Sequence, residues 1–277
     1  MATRRETVRR IASAIGSIYD PREADAVARE VVCRALAVDF SHLVADYDTE
    51  CRIANLDALI EELCAGRPVQ YVTGVAEFCE MDFVVREGVL IPRPETEELV
   101  VLVAGCVSDG ARILDVGTGS GAIAVSLARR VRDARVTAVD ISDVALEVAR
   151  ENARKNHVQV EFVKMDALGD MSSLGEFDAI VSNPPYVPQS DRESMHCNVR
   201  EYEPPTALFV PDNDPLLFYR SIAENARCML VDGGVLGFEI YELYGEPMCA
   251  MLRDRDFRDV EIVKDANLKD RMVWCRK

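Results

Sequence analysis

The chain has 277 residues, 49% of them hydrophobic, enough for one large or two modest globular domains. Its longest uncharged apolar run, Leu99 to Val107, is far shorter than the ~20 residues of a membrane-spanning helix, so no membrane association is expected. A net charge of −16 without any Lys/Arg-rich run argues against DNA as a partner, because phosphate neutralisation supplies much of the affinity for a duplex.

Arg4, Arg5, Arg9 and Arg10 lie near the N-terminus, but no long apolar segment follows them. They read as part of a surface-exposed first helix rather than a secretory signal. The nine cysteines are odd in number and none has C-x-x-C spacing, so neither a zinc site nor a disulfide framework is supported. No metal is expected, and scattered reduced thiols point to the cytoplasm.

Residues 1–68 read as a small helical bundle. Asp20-Pro21-Arg22-Glu23 is a helix start, with Asp as cap and Pro in the first turn. Ala24, Val27, Val31, Ala35 and Val38 then form one apolar stripe. Leu56, Leu59, Ile60 and Leu63 repeat the spacing, which stops at Gly66 with Pro68 beyond. Residues 69–90 read as a β-hairpin connector, with β-prone pieces at Gln70 to Thr73 and Asp82 to Val85. A third region, 91–277, begins with Ile91-Pro92-Arg93-Pro94-Glu95-Thr96-Glu97, a proline-stiffened entry into an apolar helix through Leu99, Leu102 and Val103. From Ala111, strands and helices alternate. Strand-like runs are Arg112 to Val116, Arg135 to Val139, Val160 to Met165, Phe177 to Val181 and Val235 to Ile240. Helical stretches are Ala122 to Val131, Val144 to Asn156 and Pro215 to Leu230. This rhythm predicts an α/β fold with a mostly parallel sheet covered on both faces, finished by an antiparallel pair at Val260 to Val263 and Met272 to Cys275.

Two loops carry the chemistry. Asp115-Val116-Gly117-Thr118-Gly119-Ser120-Gly121 follows the first strand of the alternating region and opens a helix. Its glycines permit a tight turn and a close backbone approach to a ligand, and Asp140 at the end of the next strand can accept hydrogen bonds from both hydroxyls of a ribose. The G-x-G-x-G spacing differs from the dinucleotide fingerprint. It fits a ribose and an amino-acid moiety, hence S-adenosylmethionine, whose ammonium Asp115 can meet directly or through water. Asp115 can equally orient the loop, Asp140 can cap the helix that begins near Ser142, and Asp166 with Ala167 lies after the third strand, near an adenine or simply at a loop start.

The second loop is Asn183-Pro184-Pro185-Tyr186, after the fourth strand. An amide or aromatic NH2 is a poor nucleophile because its lone pair is delocalised. The Asn183 side-chain oxygen and the Pro184 carbonyl can each accept one of its N–H groups and free the lone pair. Two prolines fix φ and remove competing donors, and Tyr186 offers a flat face for the substrate plane or a sulfonium. The same four residues can also serve only as a rigid turn. Taken with the glycine loop they suggest methyl transfer to nitrogen, in which alignment rather than a strong base supplies the acceleration. His42, His157 and His196 lie outside both motifs.

These motifs resemble the S-adenosylmethionine-dependent amino-methyltransferases, and the chain is most similar to the peptide chain release factor N(5)-glutamine methyltransferases. The resemblance covers nearly the whole chain. It rests on Pro68 to Gly74, Glu77-Phe78, Ile91 to Glu97, Asp115 to Gly121, Asn183 to Tyr186 and Val199-Arg200-Glu201-Tyr202-Glu203-Pro204, with Ile91 to Glu97 the most discriminating. It implies a Rossmann-like methyltransferase sheet behind a helical substrate-recognition domain. The implied reaction methylates the glutamine of the Gly-Gly-Gln loop of class 1 release factors, by a monomer in the cytoplasm.

By that resemblance Gly117, Thr118, Gly119, Ser120, Gly121, Asp140 and Ala167 contact the cofactor. Asn183, Pro184, Pro185 and Tyr186 bind the glutamine amide, with Asn183 also near the cofactor, and Phe78, Arg93 and Glu95 wall the pocket. Two features depart from the family pattern: Ala167 stands where relatives carry a larger side chain, and the Glu201-Tyr202-Glu203 stretch is one residue longer. The competing readings are an adenine-N6 methyltransferase acting on a flipped base, a ribosomal-protein glutamine methyltransferase, and a non-catalytic platform.

Overall fold

The computed structural model describes residues 2–277. The chain divides into two compact units: one runs to Val75 and includes His196–Tyr202, and the other is Ala76–Met195 with Glu203–Lys277.

The first unit is a bundle of α1 (Arg4–Ile15), α2 (Pro21–Leu36), α3 (Phe40–Ala45), α4 (Leu56–Cys64) and α5 (Val69–Thr73). A capping box opens α1: the Thr3 side chain accepts from the Glu6 amide, and the Glu6 carboxylate accepts from the Thr3 amide at 2.8 Å. This helix is not merely a surface element, since Val8, Ile11 and Ile15 are buried. Asp20 caps α2 by accepting from the Arg22 and Glu23 amides. The buried face of α2 takes in Ala28, Val32 and Cys33, while Ala35 is exposed and Val38 lies beyond the helix end. The four-residue steps of the expected stripe drift by about 40° each on a 3.6-residue turn, which carries Ala35 off the core.

Gln70 to Thr73, expected as a strand, is the helix α5. Pro68 sets its start, Gly74 closes it with φ 74°, and the Thr73 hydroxyl donates back to Val69 O at 2.9 Å. The short helix Cys197–Tyr202 returns to this unit from far along the chain. Asn198 Nδ2 donates to the Tyr19 hydroxyl at 2.7 Å and the Tyr202 hydroxyl donates to Ala65 O at 2.8 Å. A division at 68/69 and 90/91 leaves no place for that return.

The second unit opens, from Ala76 onward, with a hairpin of β1 (Val75–Phe78) and β2 (Met81–Val84) that turns through Cys79 and Glu80, both at positive φ. The main sheet has seven strands: β3 (Arg112–Val116), β4 (Arg135–Asp140), β5 (Val160–Lys164), β6 (Phe177–Ser182), β7 (Leu230–Glu239), β8 (Arg258–Lys264) and β9 (Asp270–Arg276). Their spatial order is β8-β9-β7-β6-β3-β4-β5, parallel except for β9, which pairs antiparallel with β7 and β8.

Side chains alternate across the central strands, so each face has its own core. Ile113, Ala179 and Val181 pack with Leu99 and Val103 of α6 (Thr96–Cys106) and with Ile123 and Leu127 of α7 (Ala122–Arg130). The next helix in the chain is α8 (Asp143–Lys155). Leu114, Ile180 and Leu236 pack with Tyr219 and Ile222 of α9 (Leu217–Met229) and with Met248 and Leu252 of α10 (Gly245–Arg253), a helix that hydropathy alone did not indicate.

Chain order runs outward from β3 through β4 to β5 on one side, and from β6 to β7 on the other. The reversal between β3 and β6 opens a crevice at the carboxyl ends of the strands, the usual ligand position of an open α/β sheet. Both motif loops leave from these two strands.

Candidate active site

The loop after β3 turns on Gly117, Gly119 and Gly121, whose φ values are 76°, 56° and 81°. A Cβ at Gly117 would meet nothing, so backbone conformation alone favours glycine there; at Gly121 it would lie 3.0 Å from the Ala149 Cβ. Asp140, closing β4, ties this loop to the next helix: its Oδ2 accepts from the Gly119 amide and its Oδ1 from the Ser142 amide, both at 2.9 Å. The cap of α8 itself is Ser142, which accepts from the Ala145 amide. A carboxylate offers about four acceptor directions, so Asp140 keeps capacity for two further donors.

Asp115 is fully buried under the loop. Its Oδ2 accepts from the Thr118 hydroxyl at 2.7 Å, and its Oδ1 has no hydrogen-bond partner among the described residues. Burial pushes its pKa up to about 7, against the opposing Thr118 hydroxyl and Ala124 amide. Asn152 of α8, also fully buried, braces the other side. Its Nδ2 donates to Ser120 O and to Val84 O, each at 2.9 Å, and its Oδ1 accepts from the Val84 amide at 2.6 Å. One side chain thus ties the glycine loop to the hairpin.

At the end of β6 the Ser182 hydroxyl donates to Val116 O at 2.6 Å, fastening the two loop-bearing strands together. Asn183 Nδ2 then donates to the Thr96 hydroxyl oxygen at 3.2 Å. The Thr96 hydroxyl donates to Glu239 Oε2 at 2.5 Å, and the Tyr186 hydroxyl donates to Glu239 Oε1 at 3.0 Å. Thr96 and Glu239 are both buried. Burial raises the pKa of Glu239, opposed by these two hydroxyls; burial and the Glu239 charge also raise that of the Tyr186 phenol. The Tyr186 ring stacks on Tyr241, with centroids 6.1 Å apart.

A cavity of about 400 Å³ lies between the loops, within the roughly 300–1,000 Å³ span of small-molecule sites. Gly117, Thr118, Gly119, Ser120, Asp140, Asp166, Ala167, Asn183, Pro184 and Pro185 line it, as do Phe78 and Arg93. Asp115, Gly121, Glu95 and Tyr186 are not among the lining residues: the first two support the loop from beneath, and Tyr186 turns its hydroxyl to Glu239. Sequence reasoning did not single out Ile141, Met165, Leu168 and Phe218, which give the Asp166 end an apolar wall beside the small Ala167. Glu203, part of the Val199 to Pro204 motif but given no role there, is buried: its carboxylate accepts from the Ile91 amide at 3.2 Å and from Arg93 at 2.6 Å, pinning the Ile-Pro-Arg-Pro segment over the cavity.

Two features suit a cationic nucleoside. The left-handed glycines bring main chain to the cavity surface, and none of Asp115, Asp140 and Asp166 has an ion-pair partner among the described residues.

Comparison with known proteins gives a consistent outcome. The family model described as the PrmC N-terminal domain matches residues 6–74, and that of the methyltransferase small domain matches 99–199. The release factor glutamine methyltransferase of Bacteroides thetaiotaomicron is 44% identical over 271 residues, covering 96% of this chain and 98% of the relative. That of Flavobacterium psychrophilum is 39% identical over 271 residues and covers 94% of each. The crystal structure of a methyltransferase from Pyrococcus furiosus, 20% identical, superposes with a TM-score of 0.53 over 80% of this chain and 98% of that one, and so shares the fold.

Proposed function

We propose a function for a chain that belongs to the release factor glutamine methyltransferase family: transfer of a methyl group from S-adenosylmethionine to the side-chain amide nitrogen of the Gly-Gly-Gln glutamine in class 1 release factors. The enzyme acts in the cytoplasm as a monomer, and its helical unit recognises the protein substrate. When bound, S-adenosylmethionine supplies an electrophilic methyl on a positively charged sulfur. Gly117 to Ser120 cradle its amino-acid and ribose parts, and Asp140 accepts from the ribose hydroxyls with the capacity left after Gly119 and Ser142. Asp166 and Ala167 face the adenine, and Asp115 holds the loop from below while adding negative potential.

Asn183 Oδ1 and the Pro184 carbonyl take the two N–H groups of the substrate amide. This localises the nitrogen lone pair and aims it at the methyl carbon. Pro185 keeps the main chain rigid and free of competing donors, and Tyr186, anchored on Glu239, sets the depth of the substrate plane. The proton shed after transfer leaves to solvent, so no strong base is required of the site.

The observation that carries this reading is the Asn183 carboxamide. It stands in the wall of the cavity that the glycine loop opens, with its NH2 group already committed to Thr96.

Acceptor competition tests it. Labelled methyl groups are offered to a class 1 release factor, a ribosomal protein and adenine-containing DNA in one mixture. Label on the release factor alone is expected; label on DNA or on the ribosomal protein instead would overturn the assignment.

A further inference from the structure

Asn183 can present either end of its carboxamide to the cavity, and only one end suits an NH2 substrate. An oxygen turned inward accepts from a glutamine amide, whereas an inward NH2 would repel that donor and welcome a carboxylate or carbonyl. Something in the fold must choose between two side-chain states of nearly identical shape.

The geometry points to Glu239, acting through Thr96, as the positioning residue that sets this polarity and so selects an amide donor over its carboxylate isostere. The inference rests on the glutamine-methylating reading given above. Glu239 is the last residue of β7 and about 1% exposed; Thr96 begins α6 and is 4% exposed. An ionised carboxylate only accepts. Both oxygens of Glu239 act as acceptors, Oε2 for the Thr96 hydroxyl at 2.5 Å and Oε1 for the Tyr186 hydroxyl at 3.0 Å. Thr96 has a single hydroxyl proton. Once it is given to Glu239, the oxygen has only lone pairs left for Asn183, and it accepts from Nδ2 at 3.2 Å. The Asn183 oxygen is left for the cavity.

A flipped Asn183 would set two acceptors, its own half-buried oxygen and the buried one of Thr96, against each other, an arrangement that costs free energy. Arg271, whose charge acts on Glu239 from a distance, spends its hydrogen bond on Asp265 at 3.1 Å and leaves the Glu239 oxygens to Thr96 and Tyr186. Glu239 also fixes Tyr186, so a single carboxylate orients both polar side chains of the Asn-Pro-Pro-Tyr loop. Neither Thr96 nor Glu239 donates to or accepts from the substrate in this scheme. Their effect passes entirely through Asn183 and Tyr186.

Two nearly isosteric substitutions test the relay independently. Thr96→Val removes the hydroxyl, and Glu239→Gln replaces an obligate acceptor by a group that can donate. Each is assayed for kcat, for S-adenosylmethionine affinity, and for binding of the release factor against a version carrying glutamate in place of the target glutamine. Wild type is expected to prefer the glutamine form at least tenfold. Both variants should lose tenfold or more in kcat and fall to about threefold discrimination, with cofactor affinity changed less than twofold. Thr96→Ser, which restores the hydroxyl, should recover most of the rate and the discrimination lost in Thr96→Val.

Unchanged discrimination in either Thr96→Val or Glu239→Gln, with the variant folded, overturns the relay. Loss of cofactor affinity in step with kcat overturns it too, since that marks a general structural defect. A wild-type enzyme that fails to methylate the release factor at all would instead overturn the functional reading, so the two failures are separable.

Discussion

The two ends of the main sheet treat their carboxylates in opposite ways. At the amino end, Asp178 accepts from the Arg112 amide at 2.7 Å and pairs with its guanidinium at 3.3 Å. That arginine holds Asp178 below the usual carboxylate range. At the carboxyl end, Asp115, Asp140 and Glu239 accept only from neutral hydroxyls and amides, and burial raises all three. An end that only has to hold strands together pairs its charges. The end that receives a cation leaves these three carboxylates without an ion-pair partner among the described residues and accepts the desolvation cost; the carboxylate it does pair, Glu203 with Arg93, holds a segment over the cavity.

Substitutions can break this contrast in turn. The largest effect is expected on rate: Asn183→Ala should lower kcat by about 100- to 1000-fold, the scale seen when a preorganised hydrogen-bonding group is removed from an active site. Single-turnover transfer assays check this, and isothermal calorimetry should show cofactor affinity within about twofold of wild type.

The next effect is on stability and pH. Because the folded pKa of Asp115 lies above its unfolded value, the folded chain binds more protons between the two. Its contribution therefore favours folding at low pH and is lost as pH rises from about 4 to about 7. At about 1.4 kcal/mol per pKa unit, this term is at most about 4 kcal/mol. Urea unfolding of the cofactor-free protein should accordingly show less of a decline between pH 5 and pH 8 for Asp115→Asn than for wild type.

Asn152→Ala should cost about 2–3 kcal/mol in the same assay, since it strands the buried carbonyl of Ser120 and the half-buried one of Val84. Its cofactor affinity should fall as well, because the glycine loop loses its brace. The smallest effect belongs to the amino end: Arg112 and Asp178 are more than one-third exposed, so Asp178→Asn should cost less than about 1 kcal/mol and leave transfer unchanged. A loss of transfer in that variant would erase the distinction between the two ends.

Much of this architecture is local and was therefore legible. Apolar runs bounded by glycine and acidic residues gave β3, β4 and β6, and each motif loop is a contiguous string at a strand end. What escaped notice depends on distance along the chain or on conflicting local signals. Val72 and Thr73 are β-branched, yet Pro68 and Gly74 at the two ends decided for helix. Gly245 and Pro247 are poor helix formers in general, but both are tolerated in the first turn of α10.

Thr96 meets Glu239 across 143 residues of chain, and Asn152 meets Val84 across 68, so no spacing rule could pair them. A trace was nonetheless present. Glu239 is a charge in the otherwise apolar strand run Val235 to Ile240, and Asn152 interrupts the buried stripe Ala145, Val148, Ala149. A polar residue where the pattern calls for burial marks a site or its support.

The central claim, that the Asn183 loop activates a glutamine amide of a protein, is tested most directly by peptide mass spectrometry of a class 1 release factor incubated with this enzyme and S-adenosylmethionine. The account predicts one added methyl, on the side-chain nitrogen of the Gly-Gly-Gln glutamine, formed with wild type and about 100-fold or more slower with Asn183→Ala. A methyl on any other residue, or an equal rate with Asn183→Ala, would contradict it.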